Sequence, residues 1–258
     1  MMGATATSLY FSRLILDLQS RQVRSELAQP YEMHRTLMRA FPEAPRSAPP
    51  AREEFGVLFR PEVDDQEGTV KVYIQSLVEP DWSYLNRVGN YLSTEAEMPS
   101  VSSKDVMPAY KNLRNGQVLR FRLRANPTKR VARENDPLKG KRVELTRENE
   151  QIDWLIRKGK EREHDVPGGF ELLMKEVKDM RGKVRSVPRA SACPEGKQKG
   201  RKRDGAGSHA TTHLAVLFEG LLRVTDRDAF LETLIRGIGP GKAFGFGLLS
   251  VAVAPADA

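Results

Sequence analysis

The chain has 258 residues, 39% hydrophobic and 29% charged, which supplies enough apolar material for one large or two ordinary domains beneath a heavily charged surface. No stretch reaches the roughly 20 consecutive apolar residues of a membrane helix, and the N-terminus lacks the order of a secretory signal, so a cytoplasmic protein is expected. Forty-two Lys and Arg against 34 Asp and Glu leave a net charge of +8, which favours a polyanionic partner through phosphate neutralisation, although a solvated basic surface gives the same count.

In chain order, Ser8 to Leu16 predicts a strand, and Ser20 is placed to cap a helix from Arg21 to Ala28. Pro30 interrupts that helix and starts a second, Tyr31 to Phe41, which Pro42 helps to stop. Glu54 to Arg60 and Thr69 to Leu77 read as a hairpin around Asp64, Asp65, Glu67 and Gly68, with Val70, Val72 and Ile74 on one face. A short helical segment near Trp82 and Leu85 and a Ser/Pro-containing loop precede a strand from Gln117 to Ala125, which ends at Asn126-Pro127. The resulting order is β-α-β-β-α-β.

The second half repeats the order less clearly. A strand at Arg142 to Leu145 and a helix from Arg147 to Lys158 lead into strand material that flanks a long basic insertion. His213 to Val224 then reads as a strand, Asp226 caps a helix to Arg236, and Gly245 to Ala254 is the last strand. Element order therefore predicts an α+β protein of two tandem ferredoxin-like (RRM-like) domains, residues 1–138 and 139–258.

Four features carry chemistry. On the helix after Pro30, Met33, Leu37, Ala40 and Phe41 share one side, while Tyr31, His34, Arg35 and Met38 share another, with Arg39 one turn beyond. This predicts an exposed cationic stripe bearing a phenol and an imidazole. A base, an acid and cations are what cleavage by RNA's own 2′-hydroxyl needs, although spacing alone also fits a solvated helix face. On the strand RFRLRA, Leu119, Phe121 and Leu123 face one way and Arg120, Arg122 and Arg124 the other. With Lys129, Arg130 and Arg133 the segment holds six cations and no acid, and either an anionic ligand or acids from elsewhere must balance them.

The third feature lies within the Pro/Gly-rich stretch Ser186 to Ser208, where Lys197 to Arg203 (KQKGRKR) has five cations and no acid. Lys199, Arg201, Lys202 and Arg203 belong either to a solvated loop or to a basic hairpin that docks on a duplex. The fourth, GIGPGKAFGFG at Gly237 to Gly247, lacks the spacing of a nucleotide-binding loop. Its glycines permit close approach to a phosphate, to which Lys242 adds charge; a tight turn into the last strand fits equally. His209 and His213 straddle a loop-to-strand transition, His164 sits in a charged loop, and Cys193 stands alone. No metal site and no cofactor are expected.

Several blocks resemble the CasE family of CRISPR endoribonucleases: PYEMHRTL (Pro30 to Leu37), QSLVEPDWS (Gln75 to Ser83), LRFRLRANPTKR (Leu119 to Arg130), KRVEL (Lys141 to Leu145), AVLFEGLLRV (Ala215 to Val224) and GIGPGKAFGFGLLSVA (Gly237 to Ala252). They span nearly the whole chain in the family's order. The resemblance implies two ferredoxin-like domains and metal-independent cleavage of precursor RNA at the 3′ base of a repeat stem-loop. The expected products carry a 2′,3′-cyclic phosphate and a 5′-hydroxyl, and the protein remains as a subunit of the Cascade complex. By position, Tyr31 and His34 match the family's catalytic tyrosine and histidine. Arg39 falls where some relatives carry a lysine, and Pro42 where a related enzyme has a serine. The run around Arg201 resembles the hairpin that relatives lay along the RNA stem. The alternative is a subunit that holds structured RNA in an assembly without cutting it.

Overall fold

The computed structural model describes residues 6–43, 51–95, 98–132, 137, 139–160, 168–178, 180, 182–204 and 207–255. The side chains of residues 51, 199 and 201–210 are not among those described. By its contacts the chain divides into two compact units, one of residues 1–112, 197–213 and 241–248, the other of 113–196, 214–240 and 249–258.

The first unit contains β1 (Tyr10–Asp17), α1 (Arg21–Ala28), α2 (Pro30–Met38), the short α3 (Ala51–Glu54), β2 (Leu58–Asp64), β3 (Thr69–Ser76), β4 (Val101–Asp105) and α4 (Met107–Lys111). Its antiparallel sheet has the order β2-β3-β1-β4, the strand order of a ferredoxin-like fold. Alternation placed the hairpin correctly: Val70, Val72 and Ile74 are buried, and they pack with Leu14, Met33, Leu37 and Tyr91 in one core. The break between α1 and α2 falls at Gln29, where the residue before Pro30 is forced out of the helical region. Ser20 stands at the start of α1 but makes no side-chain capping bond.

Two sequence expectations need correction in this unit. Glu54 belongs to α3, and the strand begins at Leu58. The fourth strand of the sheet is β4, a segment expected as loop. Its sequence, VSSKD, carries no apolar alternation and is largely exposed; it is a strand because its backbone completes the edge of the sheet against β1.

In the second unit, β5 (Val118–Ala125), β6 (Thr128–Arg130), β7 (Arg142–Glu144) and α5 (Glu148–Lys160) are followed by β8 (Phe170–Leu172), β9 (Met174–Lys178) and β10 (Val184–Pro188). The long strands β11 (Ala190–Asp204) and β12 (Gly207–Val224) follow, their residues 197–213 belonging to the first unit, then α6 (Arg227–Arg236) and β13 (Leu249–Val253). The large sheet has the order β11-β12-β5-β13, with β8 also on β12. Thus β5, expected to close the first βαββαβ set, lies between β12 and β13 and opens the second. Asp226 caps α6 as expected, accepting from the amides of Asp228 and Ala229 at 3.1 Å. No helix of the described residues is long and apolar enough to cross a membrane.

Candidate active site and nucleic-acid interface

Helix α2 is held from beneath by a buried carboxylate. Glu26 of α1 accepts from the Thr36 hydroxyl at 2.7 Å, the Tyr91 phenol at 2.6 Å and the Gln22 amide at 2.8 Å. Tyr84 donates to the Thr36 carbonyl at 2.6 Å. Three donors on one buried carboxylate offset its desolvation and fix the pitch of α2 on the core.

Tyr31 and His34 come together one turn apart on this helix, their ring centroids 5.8 Å apart. The exposed stripe expected around them is not what forms. His34 is only 9% exposed, because Phe59 of β2 lies nearly parallel to its imidazole at 6.2 Å and Tyr31 covers another side. Helical spacing alone hid this, since it ranks the faces of α2 but does not show what β2 places against them. Burial, with the Arg52 charge adding to it, pushes the His34 pKa down from 6.5 to about 4. The imidazole is therefore neutral at physiological pH. Its Nδ1 is buried with no hydrogen-bond partner.

The flanking cations are less free than expected. Arg35 is exposed and pairs with Glu32 at 2.9 Å, and the Arg39 guanidinium lies 4.6 Å from the centre of the Tyr84 ring. Neither is a cause of the His34 shift; Arg52 is, on the short helix α3, to which sequence analysis assigned no element before Glu54.

The glycine run leaves α6 and makes a 3-10 turn at Lys242–Phe244 between two left-handed glycines, Gly241 (φ 80°) and Gly245 (φ 78°). Lys242 begins that turn and is half-buried. Phe244 packs on Tyr31 at 5.9 Å. Just beyond the turn, the Leu248 carbonyl accepts from the buried Arg60 at 3.2 Å. Phe59, Arg52 and Phe244 surround the Tyr31–His34 pair and were missed by sequence reasoning. Only Phe244 carried a signal, as the aromatic flanked by glycines in GKAFGFG.

The arginine strand alternates as expected, but its two later arginines are matched by acids. Arg122 pairs with Glu219 at 2.6 Å and the buried Arg124 with Glu195 at 2.6 Å. Arg120 is exposed, as is Arg130 of β6, and Lys129 bonds Glu150 at 3.1 Å. The Lys197 to Arg203 run forms strand within β11, beside β12, and not a solvated loop. The side chains of Lys199, Arg201, Lys202, Arg203 and His209, together with all of Arg133 and His164, lie outside the described residues. Cys193 is exposed and unpaired. No group of three or more His, Cys, Asp or Glu among the described residues is placed to hold a metal ion.

A sequence model of the family described as CRISPR associated protein matches residues 9–253. The chain belongs to this family. It is 40% identical over 245 residues to the CRISPR-associated endoribonuclease Cse3 of Thermus thermophilus, an alignment that covers 95% of this chain and all of that one. It is 28% identical over 250 residues to the CRISPR system Cascade subunit CasE of Escherichia coli, covering 95% of this chain and 99% of that protein. Its fold matches the structure of the CRISPR endoribonuclease Cse3 bound to a 19 nt RNA, with a TM-score of 0.70, 38% identity, and coverage of 95% and 99%. The fold is thus two ferredoxin-like domains, as element order predicts.

Proposed function

We propose that this protein is a cytoplasmic endoribonuclease that cuts CRISPR precursor RNA at the 3′ base of the repeat stem-loop and stays on the guide RNA as a Cascade subunit. The observation that carries the reading is the pairing of Tyr31 with a His34 whose imidazole is walled by Phe59 and held neutral. A neutral imidazole can take the proton of the 2′-hydroxyl nucleophile at physiological pH, and the Tyr31 phenol stands next to it to orient the reacting groups. Attack on the adjacent phosphate breaks its bond to the 5′-oxygen, which takes up a proton from solvent or from the His34 imidazolium; a 2′,3′-cyclic phosphate and a 5′-hydroxyl result, with no step that requires a metal ion. Arg35, Arg39 and Lys242 supply positive charge around α2 for the phosphate, as electrostatic stabilisation requires. Arg120, Lys129, Arg130 and the run Lys199, Arg201, Lys202 and Arg203 bind RNA backbone, while Arg122 and Arg124, held by Glu219 and Glu195, brace the strand that carries Arg120. The likeness to Cse3 supports this assignment.

Incubation of the purified protein with repeat RNA in EDTA tests it. Cleavage is expected, and a single 2′-deoxy substitution upstream of the cut should abolish it while the hairpin still binds. Tight binding without any cutting would instead identify a non-cleaving RNA-holding subunit.

A further inference from the structure

A glycine inside a strand weakens it, and usually marks a place where another group must come close. Gly200 stands in the middle of the basic run on β11, and the group that approaches it is Phe244. A Cβ at Gly200 would lie 2.1 Å from Cε1 of that ring and 3.0 Å from Cδ1 and Cζ. On the other arm of the hairpin, the Thr211 hydroxyl donates to the Gly200 carbonyl at 3.4 Å. Two residues on, the His213 ring reaches the same phenyl group, 4.6 Å between centroids. Phe244 then meets Tyr31 at 5.9 Å, and Tyr31 meets His34 at 5.8 Å. All of these residues belong to one compact unit.

Phe244 therefore touches both arms of the basic hairpin and the catalytic tyrosine at once. Side chains packed this closely cannot move independently, since interiors have discrete arrangements and few voids. We propose that Phe244 is a positioning residue that couples the β11–β12 hairpin to Tyr31. An RNA stem lying along the hairpin fixes Gly200 and His213, these seat the Phe244 ring, and the ring sets the Tyr31 phenol beside His34. Gly200 serves this contact by lacking a Cβ. The inference rests on the ribonuclease reading for its consequence, but not for the coupling itself.

The test uses the full chain and repeat RNA, comparing wild type with Phe244→Ala, Gly200→Ala and the double variant Gly200→Ala/Phe244→Leu. Single-turnover cleavage, RNA affinity and hydrogen exchange of the Tyr31 to Met38 amides are measured for each. Phe244→Ala is expected to slow cleavage by about 10²-fold, the cost of an ångström-scale misplacement, with affinity nearly unchanged. Gly200→Ala should slow it too, and the smaller leucine in the double variant should recover part of the loss, the non-additive result expected of residues packed against each other. RNA binding should raise protection of the α2 amides in wild type and fail to do so in Phe244→Ala. Equal cleavage rates and equal α2 protection in wild type and Phe244→Ala overturn the proposal, as does a rate loss wholly accounted for by lost affinity. If wild type binds RNA without cutting it, the ribonuclease reading fails, and the α2 exchange comparison still decides the coupling.

Discussion

The imidazole of His34 shows how far burial changes what one side chain can do. With its pKa lowered from 6.5 to about 4, the reactive neutral form is complete well below neutrality. The cleavage rate of the free protein's base should rise with pH only up to that region and then stay level through pH 6 to 8. A profile with its midpoint near 6.5 would mean that the ring is solvated when RNA is bound. His34→Ala should lower the rate by about 10²- to 10⁴-fold, the usual worth of positioned proton transfer, while leaving affinity nearly unchanged. Tyr31→Phe should cost less if its hydroxyl mainly orients the site. The lowered pKa also has a stability consequence. Between pH 6.5 and 4 the unfolded chain binds a proton at this position that the folded chain refuses, so stability falls as pH drops through that window. The loss should approach roughly 3 kcal/mol, since each tenfold drop in proton affinity is worth about 1.4 kcal/mol. Urea unfolding at pH 7 and pH 4 should show wild type losing that much more than His34→Gln.

Among the elements, β5 divides its arginines between two tasks. Arg120 is exposed and available to phosphate, whereas Arg122 and Arg124 already hold Glu219 and Glu195. Arg120→Ala should weaken RNA binding and reduce the slope of log affinity against log salt by about 0.7 to 0.9, the contribution of one neutralised phosphate. An unchanged slope would remove Arg120 from the interface. Replacing all three arginines should lower the slope no further than Arg120→Ala does, but should also destabilise the fold. Most of that cost should appear in Arg124→Ala, about 1 to 3 kcal/mol by urea denaturation, because its buried guanidinium site loses a hydrogen-bonded ion pair. Strand periodicity predicted the direction of all three side chains; the register of β12, which sets Glu219 opposite Arg122, and the placement of Glu195 on β11 decided which of them meet acids.

For the whole molecule, the prominent insertion is structure and not a tether. Because Lys197 to Arg203 lies in a strand paired within the β11–β12 hairpin, its amides should exchange more slowly than those of a solvated loop even without RNA. A bound stem should slow them further, and identical exchange with and without repeat RNA would take the hairpin out of the interface. Local signals were enough for much of this protein. The proline at Pro30, the alternation of Val70, Val72 and Ile74, and the Asp226 cap each act over a few residues, so helix starts, strand faces and the α+β class were legible in order along the chain. Motif blocks likewise placed Tyr31 and His34 together, since one helical turn separates them. Tertiary structure alone decided the rest. That β4 is a strand follows from an open edge on β1, that β5 opens the second sheet follows from its pairing with β12 and β13, and that His34 is buried and neutral follows from Phe59. Each depends on contacts between residues far apart in sequence, which periodicity within a single segment cannot encode.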